Sequence, residues 1–160
     1  MIKTIAAAAT ALALTAGALA ASAQPLLPDI RPYAVTMSVP DLEATVAWYG
    51  EILGFTVERR NSYPEFGTRL AFLRRDAFRI ELIEDANARP GIPRPDAPAH
   101  TATYGISQFM FGTDDLADVR RRLAERGIHP HFEFENAELG VRFFFIRDPN
   151  VNLIAFIQRL

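Results

Sequence analysis

The sequence predicts an α+β fold of two tandem βαβββ modules, which form paired half-barrel sheets with the helices outside. The first observation behind this prediction is an internal repeat with an offset of 74 residues: Asp41 corresponds to Asp115 (115 − 41), and residues 80–83 correspond to residues 154–157. The second is that the same pair of residues, an aspartate followed by a leucine, begins a predicted helix in each copy (Asp41-Leu42 and Asp115-Leu116). The third is that apolar residues alternate in the flanking segments, as in strands with one buried face.

In the first module, residues 33–84, the predicted helix begins at Asp41 and ends before Gly54. The Asp41 carboxylate can accept hydrogen bonds from the free amides of the first turn, and glycine favours the left-handed conformation that ends a helix. Apolar residues at helical spacing lie between these two positions. Four strands complete the module: Tyr33–Val39, Phe55–Arg60, Thr68–Arg74 and Phe78–Glu84.

Residues 85–104 separate the modules and contain four prolines. We predict a linker without regular structure, long enough to be mobile or to cover a site as a lid. The second module, residues 105–160, repeats the element order, with a helix from Asp115 to Arg126. Its predicted strands are Gly105–Gly112, Ile128–Phe134, Val141–Arg147 and Leu153–Gln158.

Residues 1–23 have the three parts of a secretory signal peptide. Lys3 supplies the positive charge, the apolar run from Ile5 to Ala20 follows, and the segment 21–23 (Ala-Ser-Ala) is a typical cleavage sequence. We therefore expect a periplasmic or secreted protein. Residues 24–32, which contain three prolines, are expected to form an extended lead-in to the first strand.

The composition excludes several classes of function. Residues 24–160 carry 16 basic and 19 acidic side chains, a net charge of −3 (16 − 19), so no nucleic-acid partner is expected. The chain has no cysteine, which rules out thiolate metal sites and cysteine nucleophiles. No second apolar run is long enough to cross a membrane, so no membrane association is expected after removal of the leader.

Strand periodicity divides each predicted sheet into two faces. The bulky apolar residues are expected beneath the helix, and the other face, which we call the mixed face, carries polar, small and aromatic side chains. Two mixed faces side by side would form a concave groove suited to a small molecule. The expected lining is Ala34, Arg69, Glu81, Gln108, Met110, Phe143, Phe145 and Ala155.

Aromatic side chains in this groove are the candidates for stacking on a planar or cationic ligand, and Phe143 and Phe145 are the best placed. An alternative is that Arg69, Arg79 and Glu81 form an ion-pair ladder on a solvated sheet. The predicted ligand-binding residues are Arg69, Glu81, Gln108, Met110, Phe143 and Phe145.

Other conspicuous residues have simpler interpretations. His129 and His131 lie two apart on a predicted strand and could chelate a metal ion, but no third ligand has suitable spacing, so a polar edge strand is favoured. Trp48 and Tyr49 lie in the first helix, where core packing is favoured over stacking on a ligand. His100 lies in the linker.

Four segments together resemble the vicinal oxygen chelate superfamily, whose members include glyoxalase I, bleomycin-resistance proteins, fosfomycin-resistance enzymes, extradiol dioxygenases and methylmalonyl-CoA epimerase. The resemblance covers residues 33–158 and implies a glyoxalase-like fold. It does not single out one function, because the superfamily spans several reactions and binding proteins. The segments are VPDLEATVAWYGEILGF (39–55), RIELIE (79–84), DDLADVRRRLAERGI (114–128) and RDPNVNLIAF (147–156).

In the metal-dependent members of that superfamily, the ligands come from the first and last strands of each module. The resemblance therefore implies four corresponding positions here. Two of them are alanines, which cannot bind a metal ion, so we expect a degenerate metal site, no metal ligands and no cofactor. The remaining two, with water, would hold a divalent cation only weakly. The positions are Ala34, Glu81, Gln108 and Ala155.

Three functions are compatible with the resemblance. The first is an exported, metal-independent protein that binds a small organic molecule in the groove, as bleomycin-resistance proteins do. The second is a lyase or isomerase of the glyoxalase/epimerase type, with or without a weakly bound divalent metal. In it, Glu81 is the general base and Gln108, Arg69 or Arg79 stabilises the oxyanion. The third is a dimerising module without turnover, since relatives often assemble the groove across a homodimer by exchanging modules.

Overall fold

The computed structural model describes residues 26–27 and 29–160. The predicted signal peptide, residues 1–23, lies outside the described residues. In the described part of the chain, no helix is both long and apolar enough to cross a membrane. Tyr33–Leu160 cluster as one structural unit, which contains both predicted modules.

The strands and α-helices of this unit follow the predicted order, with short 3-10 turns at Pro64–Phe66 and Ala99–Ala102. In the first module they are β1 (Val35–Ser38), α1 (Leu42–Leu53), β2 (Thr56–Tyr63), β3 (Thr68–Arg75) and β4 (Phe78–Asp85). In the second they are β5 (Phe109–Gly112), α2 (Leu116–Ala124), β6 (Phe132–Asn136), β7 (Val141–Arg147) and β8 (Leu153–Arg159).

Each module forms a four-stranded mixed sheet, in the order β1-β4-β3-β2 and β5-β8-β7-β6. The pairs β1–β4 and β5–β8 are parallel, and the other neighbours are antiparallel. This repeated topology confirms the predicted α+β fold of two βαβββ modules. One hydrophobic core takes residues from both helices and from the helix-facing sides of both sheets.

Two strands of the second module begin later than predicted. β5 begins at Phe109 instead of Gly105, whose φ of 110° is incompatible with a strand. β6 begins at Phe132 instead of Ile128, because Pro130 has no N–H with which to pair. The chain between the linker and β5 is therefore irregular, and it can form the wall of a cleft.

Both helices begin at the predicted aspartates. Asp41 Oδ1 accepts from the N–H of Ala44 at 2.9 Å, and Asp115 Oδ1 accepts from the N–H of Asp118 at 2.9 Å. These are N-caps, which satisfy amides that have no partner inside the helix. The first helix ends at Gly54, whose φ of 69° is the left-handed conformation that glycine adopts without strain.

The last strand of each module supplies a second cap. Glu84 Oε2 accepts from the N–H of Leu42 at 2.7 Å, and Gln158 Oε1 accepts from the N–H of Leu116 at 2.9 Å. Both partners obey the repeat offset, since 158 − 84 equals 116 − 42. The duplication therefore preserves not only strands and helices but also a long-range hydrogen bond that joins them.

In each module, an arginine of the third strand donates hydrogen bonds to the side chain that caps the helix. Arg69 Nη2 donates to both carboxylate oxygens of Glu84 at 2.7 Å. Arg142 donates to Gln158 Oε1 from Nε at 3.2 Å and from Nη2 at 2.9 Å. Arg69 therefore lies beside the N-terminus of α1, on the helix-covered side of its sheet. The prediction that Arg69 lines the mixed face is wrong.

The error for Arg69 arises from a one-residue difference between the modules. Phe72 pairs with Glu81, and Phe145 pairs with Ala155. The third strands thus correspond at an offset of 73 (145 − 72), whereas the last strands keep 74 (155 − 81). A slip of one residue moves every side chain to the opposite face. Phe72 therefore lies on the mixed face of β3 and Arg69 on the other face, whereas a uniform offset of 74 would assign Arg69 to the mixed face.

Replacement of Glu84 by glutamine, the residue that the second module uses, tests the charge in the first cap. We expect the free energy of unfolding to fall by about 1 kcal/mol at neutral pH, because charge-assisted hydrogen bonds are the stronger kind. The Arg69 guanidinium and, less strongly, the Leu42 N–H hold the pKa of Glu84 below its ordinary value. Such a carboxyl stabilises the fold above its unfolded pKa of about 4.3, and this contribution is lost as the pH falls through the folded value.

Urea denaturation of the wild-type protein and Glu84→Gln should therefore differ at about pH 7 and converge at about pH 3. A difference of equal size at both pH values would show that the carboxylate charge does not stabilise the cap.

A buried polar network joins α1 to the second module. Tyr49, which has no exposed surface, donates from its hydroxyl to Asp148 Oδ2 at 2.8 Å. The N–H groups of Asn150 and Asn152 donate to Asp148 Oδ1 at 2.9 and 2.7 Å, and the Asn152 amide donates to Oδ2 at 2.9 Å. Trp48 and Tyr49 both pack in the hydrophobic core, as predicted.

Val151, in the loop between β7 and β8, has a φ of 66°. This conformation is strained for a β-branched residue, at a cost of about 1–3 kcal/mol. We expect Val151→Gly to raise the free energy of unfolding by about 1 kcal/mol, because the relief of strain exceeds the entropy that glycine adds to the unfolded chain.

Val57 in β2 is the matched control, since it is 43% exposed and Val151 is 45% exposed. Val57→Gly should destabilise by about 1 kcal/mol, because glycine weakens a strand. Chemical denaturation of both variants checks the sign. Destabilisation by Val151→Gly would contradict the strain at this residue.

Candidate functional site

The mixed face of the first module holds a carboxylate that is fixed by a hydroxyl. Thr36 and Glu81 are neighbours on the parallel strands β1 and β4, and Thr36 Oγ1 donates to Glu81 Oε2 at 2.6 Å. Phe72 lies opposite Glu81 on β3, and Tyr33 packs edge-on against Phe72 with ring centroids 6.2 Å apart. Glu81 is therefore half-buried beside aromatic surface, on the face where strand periodicity places it.

Arg79 lies on the same strand as Glu81 but is paired with another acid. Its Nε and Nη2 donate to Glu58 at 2.7 and 3.1 Å, and Arg74 donates to the same carboxylate at 3.2 Å. These contacts, led by the hydrogen bond from Arg79, hold the pKa of Glu58 below its usual range. The Arg79 guanidinium also lies 5.4 Å from the centroid of the Tyr33 ring. The ion-pair interpretation thus applies to Arg79, with Glu58 instead of Glu81 as its partner.

The mixed face of the second module is aromatic. Phe132, Phe134, Phe143 and Phe145 form a continuous cluster, in which neighbouring ring centroids are 5.6 to 6.4 Å apart. Ala155 lies beside Phe145 on β8. Phe143 and Phe145 are thus on the predicted face, but Phe145 and Ala155 are buried instead of lining an open groove.

The linker is what buries Phe145. His100, in the 3-10 turn Ala99–Ala102, packs against Phe145 with ring centroids 5.1 Å apart and an interplanar angle of 64°. Ala97 packs against the same cluster. His100 is only 7% exposed, and its Nδ1 is buried without a hydrogen-bond partner in the described part of the chain. The linker therefore covers half of the groove that the sequence predicts.

Two arginines hold the linker in place: Arg147 joins it to the second module, and Arg94 braces it internally. Arg147, at the end of β7, donates from Nε and Nη2 to Asp96 Oδ1 at 2.9 and 2.6 Å, and from Nη2 to the carbonyl of Arg94 at 2.9 Å. The Arg147 guanidinium holds the pKa of Asp96 below its usual range, so this carboxylate stays charged at neutral pH. Arg94 in turn donates to the carbonyl oxygens of His100, Thr103 and Tyr104.

A cleft of about 890 Å³ lies between the first sheet and the second module, and we call it the seam cleft. This volume is within the range of pockets that hold small molecules. Leu153 belongs both to the cleft and to the buried cluster around Phe145, so the two adjoin. The walls of the seam cleft come from residues 35–40, 84–86, 88–94, 106–109 and 149–153.

Gln108 is the predicted ligand-binding residue that lines the seam cleft. Its Oε1 is buried and has no hydrogen-bond partner among residues 26–27 and 29–160. This oxygen is shielded in the present side-chain orientation, and a turn of the Gln108 side chain into the cleft would let it accept from a ligand's N–H or O–H group. Thr36 lines the same cleft and connects it to Glu81. Sequence patterns did not single out Thr36, although its position two residues after Ala34 puts it on the mixed face.

Other predicted residues lie away from the seam cleft. Met110 is 48% exposed and borders a second groove, of about 960 Å³, near the end of α1 and along α2. His129 and His131 precede β6, so the prediction that they share a strand face is wrong. His131 Nε2 is 3.5 Å from Asp96 Oδ1. Burial is the main reason that the pKa of His131 is lowered; Asp96 opposes this effect and Arg147 adds to it.

The side chains at the four expected ligand positions do not fit a metal ion held by four protein groups. Ala34 and Ala155 offer no donor atom, and one oxygen of Glu81 is already bonded to Thr36. Gln108 would supply a single neutral oxygen. Within the described residues, no three His, Cys, Asp or Glu side chains are grouped so that they could hold a metal ion.

Comparison with known proteins places this geometry in a family. A family model described as the Glyoxalase/Bleomycin resistance protein/Dioxygenase superfamily matches residues 32–156. The chain is also 30% identical over 93 residues to an ethylmalonyl-CoA/methylmalonyl-CoA epimerase from Cereibacter sphaeroides, across 58% of this chain and 68% of the relative.

Solved structures agree on the fold. The glyoxalase family protein from Enterococcus faecalis superposes with a TM-score of 0.66 at 23% identity, over 79% of this chain and 96% of the other. A trypanothione-dependent glyoxalase I from Leishmania major superposes with a TM-score of 0.60 at 19% identity, over 81% and 86%. Because the family model spans both modules and the topology agrees, the chain belongs to the Glyoxalase/Bleomycin resistance protein/Dioxygenase superfamily.

Proposed function

We propose that this protein binds a small organic molecule in the seam cleft without a metal ion, and that it does so outside the cytoplasm. The observation that carries the proposal is the buried Oε1 of Gln108, an acceptor without a partner in the described residues, in the wall of a cleft of about 890 Å³. Buried polar groups in folded proteins are nearly always hydrogen-bonded. An acceptor left free at a cleft wall therefore supports a ligand that donates to it.

The arginines favour binding over catalysis. Proton abstraction next to a carbonyl needs a positive or donating group near the oxygen that becomes negative. Arg69 is committed to Glu84 on the opposite side of the sheet, and Arg79 is committed to Glu58. Both cations considered for the oxyanion are thus occupied by other carboxylates, and Glu81 has Thr36 as its neighbour instead.

Replacement of Gln108 by leucine should weaken ligand binding and leave the fold intact. Leucine fills a similar volume and removes a buried acceptor without a partner, so the free protein should be as stable as the wild type or slightly more stable. Loss of the hydrogen bond to the ligand should weaken binding at least about tenfold. The measurement is a thermal-shift screen of aromatic antibiotics and 2-oxo compounds, followed by calorimetric titration of each hit.

Glu81→Gln is the matched control, because it changes one polar group on the adjoining mixed face and leaves the cleft wall intact. A compound that binds the wild type and Glu81→Gln alike, but Gln108→Leu more weakly, supports the proposal. If every hit binds Gln108→Leu as tightly as the wild type, the ligand does not lie in the seam cleft.

A second candidate is proton abstraction by Glu81. It is favoured by the 30% identity to a relative named as an epimerase, and by the fixed carboxylate beside Phe72. In this reaction Glu81 takes the proton from the carbon next to a carbonyl, and the electron pair moves to the carbonyl oxygen. Epimerisation then needs a proton from a second donor, an acid or a water molecule, on the opposite face of that carbon, as the electron pair returns from the oxygen; Glu81 later releases its own proton to solvent.

Hydrogen exchange distinguishes this reaction from binding. The protein is incubated with methylmalonyl-CoA in D₂O, and loss of the α-hydrogen signal is followed by proton NMR. Exchange above the buffer rate that disappears in Glu81→Gln would establish proton abstraction. Exchange at the buffer rate in the wild-type protein would count against proton abstraction from this substrate.

Export and assembly remain predictions. Mass spectrometry of protein recovered from the periplasm or the medium should give a chain that begins at Gln24, and a full-length chain confined to the cytoplasm would contradict export. Light scattering of the processed chain tests the alternative of a homodimer with exchanged modules.

A further inference from the structure

The buried part of the second mixed face is a pocket for a flat ring. Phe145 and Ala155 form its floor, and Phe132 and Phe143 pack around Phe145 with ring centroids 6.0 and 5.6 Å away. Aromatic rings arranged in this way bind a further flat ring through edge-to-face contacts and dispersion. Leu153 connects the pocket to the seam cleft, so one ligand can extend from the cleft into it.

The ring that fills this pocket is His100 of the chain's own linker. The imidazole lies 5.1 Å from the Phe145 ring, and His100 is 7% exposed. Its Nδ1 is buried without a partner in the described part of the chain. A histidine that belongs permanently to a core normally has both ring nitrogens satisfied. The imidazole therefore matches the pocket in shape, but its Nδ1 makes no hydrogen bond within the described residues.

The attachments of the linker are exposed and can be released. Asp96, which binds Arg147, has a side chain that is 61% exposed, and most residues from 89 to 105 are exposed. Ion pairs in contact with water contribute little to stability. Release of the linker exposes the ring pocket and frees the buried nitrogen of His100 to bond with water.

We propose that this pocket binds an uncharged, planar aromatic ring, and that His100 occupies it until the ring of a ligand displaces the linker. The inference rests on the proposed function and adds to it the chemical class of one part of the ligand. Binding is then a competition between two rings. Weakening the linker should raise the apparent affinity in proportion to the fraction of molecules with an open pocket.

Benzimidazole, uncharged at neutral to alkaline pH, is the probe. The protein has three histidines, so their ring Cε1–H signals in a ¹H–¹³C NMR spectrum can be assigned from single His→Ala variants. On titration with benzimidazole, the signal of His100 should move to the position of a solvent-exposed histidine, while the signal of His129 stays in place. In His100→Ala the pocket is vacated, and benzimidazole should bind more tightly than to the wild type.

Asp96→Ala should raise the affinity for benzimidazole by about three- to tenfold, because it loosens the linker. Asp118→Ala is the matched control, since Asp118, like Asp96, is an aspartate that binds arginine side chains, here Arg121 and Arg122, but it lies on α2, away from the linker. Its affinity should equal that of the wild type.

Three results would overturn the inference: a stationary His100 signal at saturating benzimidazole, equal affinities for Asp96→Ala and Asp118→Ala, or no binding to His100→Ala. Gln108→Leu separates this inference from the proposed function. It should weaken binding of the hits from the screen but leave displacement of His100 by benzimidazole unchanged. If the hits bind Gln108→Leu as tightly as the wild type, the proposed function is overturned, but the inference about the ring pocket is not.

Discussion

Asp148→Ala is expected to lower the free energy of unfolding by about 3–5 kcal/mol, one of the two largest effects expected of a single substitution in this chain. Asp148 is 5% exposed and accepts hydrogen bonds from the Tyr49 hydroxyl, from two backbone amides and from the Asn152 side chain. Removal of the carboxylate leaves the two backbone amides without this acceptor, and it leaves the Tyr49 hydroxyl and the Asn152 amide with only the weak acceptor Met37 Sδ, at 4.0 and 3.9 Å. Each lost hydrogen bond of a buried group costs about 1–3 kcal/mol before relaxation.

The same network explains why Tyr49 remains a donor. Burial, followed by the charge and the hydrogen bond of Asp148, raises the pKa of Tyr49 above its ordinary value. A group with a raised pKa contributes its stability below its unfolded pKa, about 10 for tyrosine, and loses it as the pH rises through the folded value. Tyr49→Phe should therefore cost about 1–2 kcal/mol at neutral pH, less than loss of the shared acceptor.

Urea denaturation followed by the fluorescence of Trp48, which packs beside Tyr49 at a ring distance of 5.2 Å, measures both effects. Asp114→Ala is the control, because Asp114 is exposed and its carboxylate makes no hydrogen bond in the described residues. A loss of less than 1 kcal/mol for Asp148→Ala, or equal losses for both aspartates, would show that the network does not join the modules.

Phe145→Ala is the second substitution with a large expected effect, a loss of about 3–5 kcal/mol. Phe145 is 2% exposed and packs against Phe132, Phe143 and His100. The substitution leaves a cavity that the surrounding strands cannot close, and it removes the surface on which the linker rests. Hydrogen exchange of the linker amides should therefore become faster in the same variant.

Phe143→Ala is the matched control for Phe145→Ala. It removes the same side chain from the same strand and face, but from a half-buried position, so the loss should be about 1 kcal/mol. Denaturation monitored by circular dichroism gives both values. Equal losses would mean that the linker contributes nothing to the burial of Phe145.

Much of the fold follows from local signals. Asp41 and Asp115 cap their helices, and Gly54 ends the first of them, because these conformations depend on near neighbours along the chain. The faces of β4 and β8 also follow from alternation alone, which places Glu81 and Ala155 correctly on the mixed faces.

The site depends on relations that no local pattern contains. Arg69 is misplaced because the two modules differ by one residue between their third and fourth strands, and only the pairing of strands reveals this. His100 reaches Phe145 through an irregular linker whose path is set by Asp96 and Arg147. The capping of α1 by Glu84 spans 42 residues, beyond the reach of any helix signal.

The measurement that tests the central claim most directly is the affinity for a ligand with and without metal. A compound selected by the Gln108-dependent screen is titrated into protein treated with a chelator, and then into protein supplemented with Zn²⁺, Ni²⁺, Mn²⁺ or Fe²⁺. Since Ala34 and Ala155 provide no donor atoms, we expect dissociation constants that agree within about twofold, a free-energy difference below about 0.4 kcal/mol. Binding that appears only after addition of a stoichiometric metal ion would contradict the proposal.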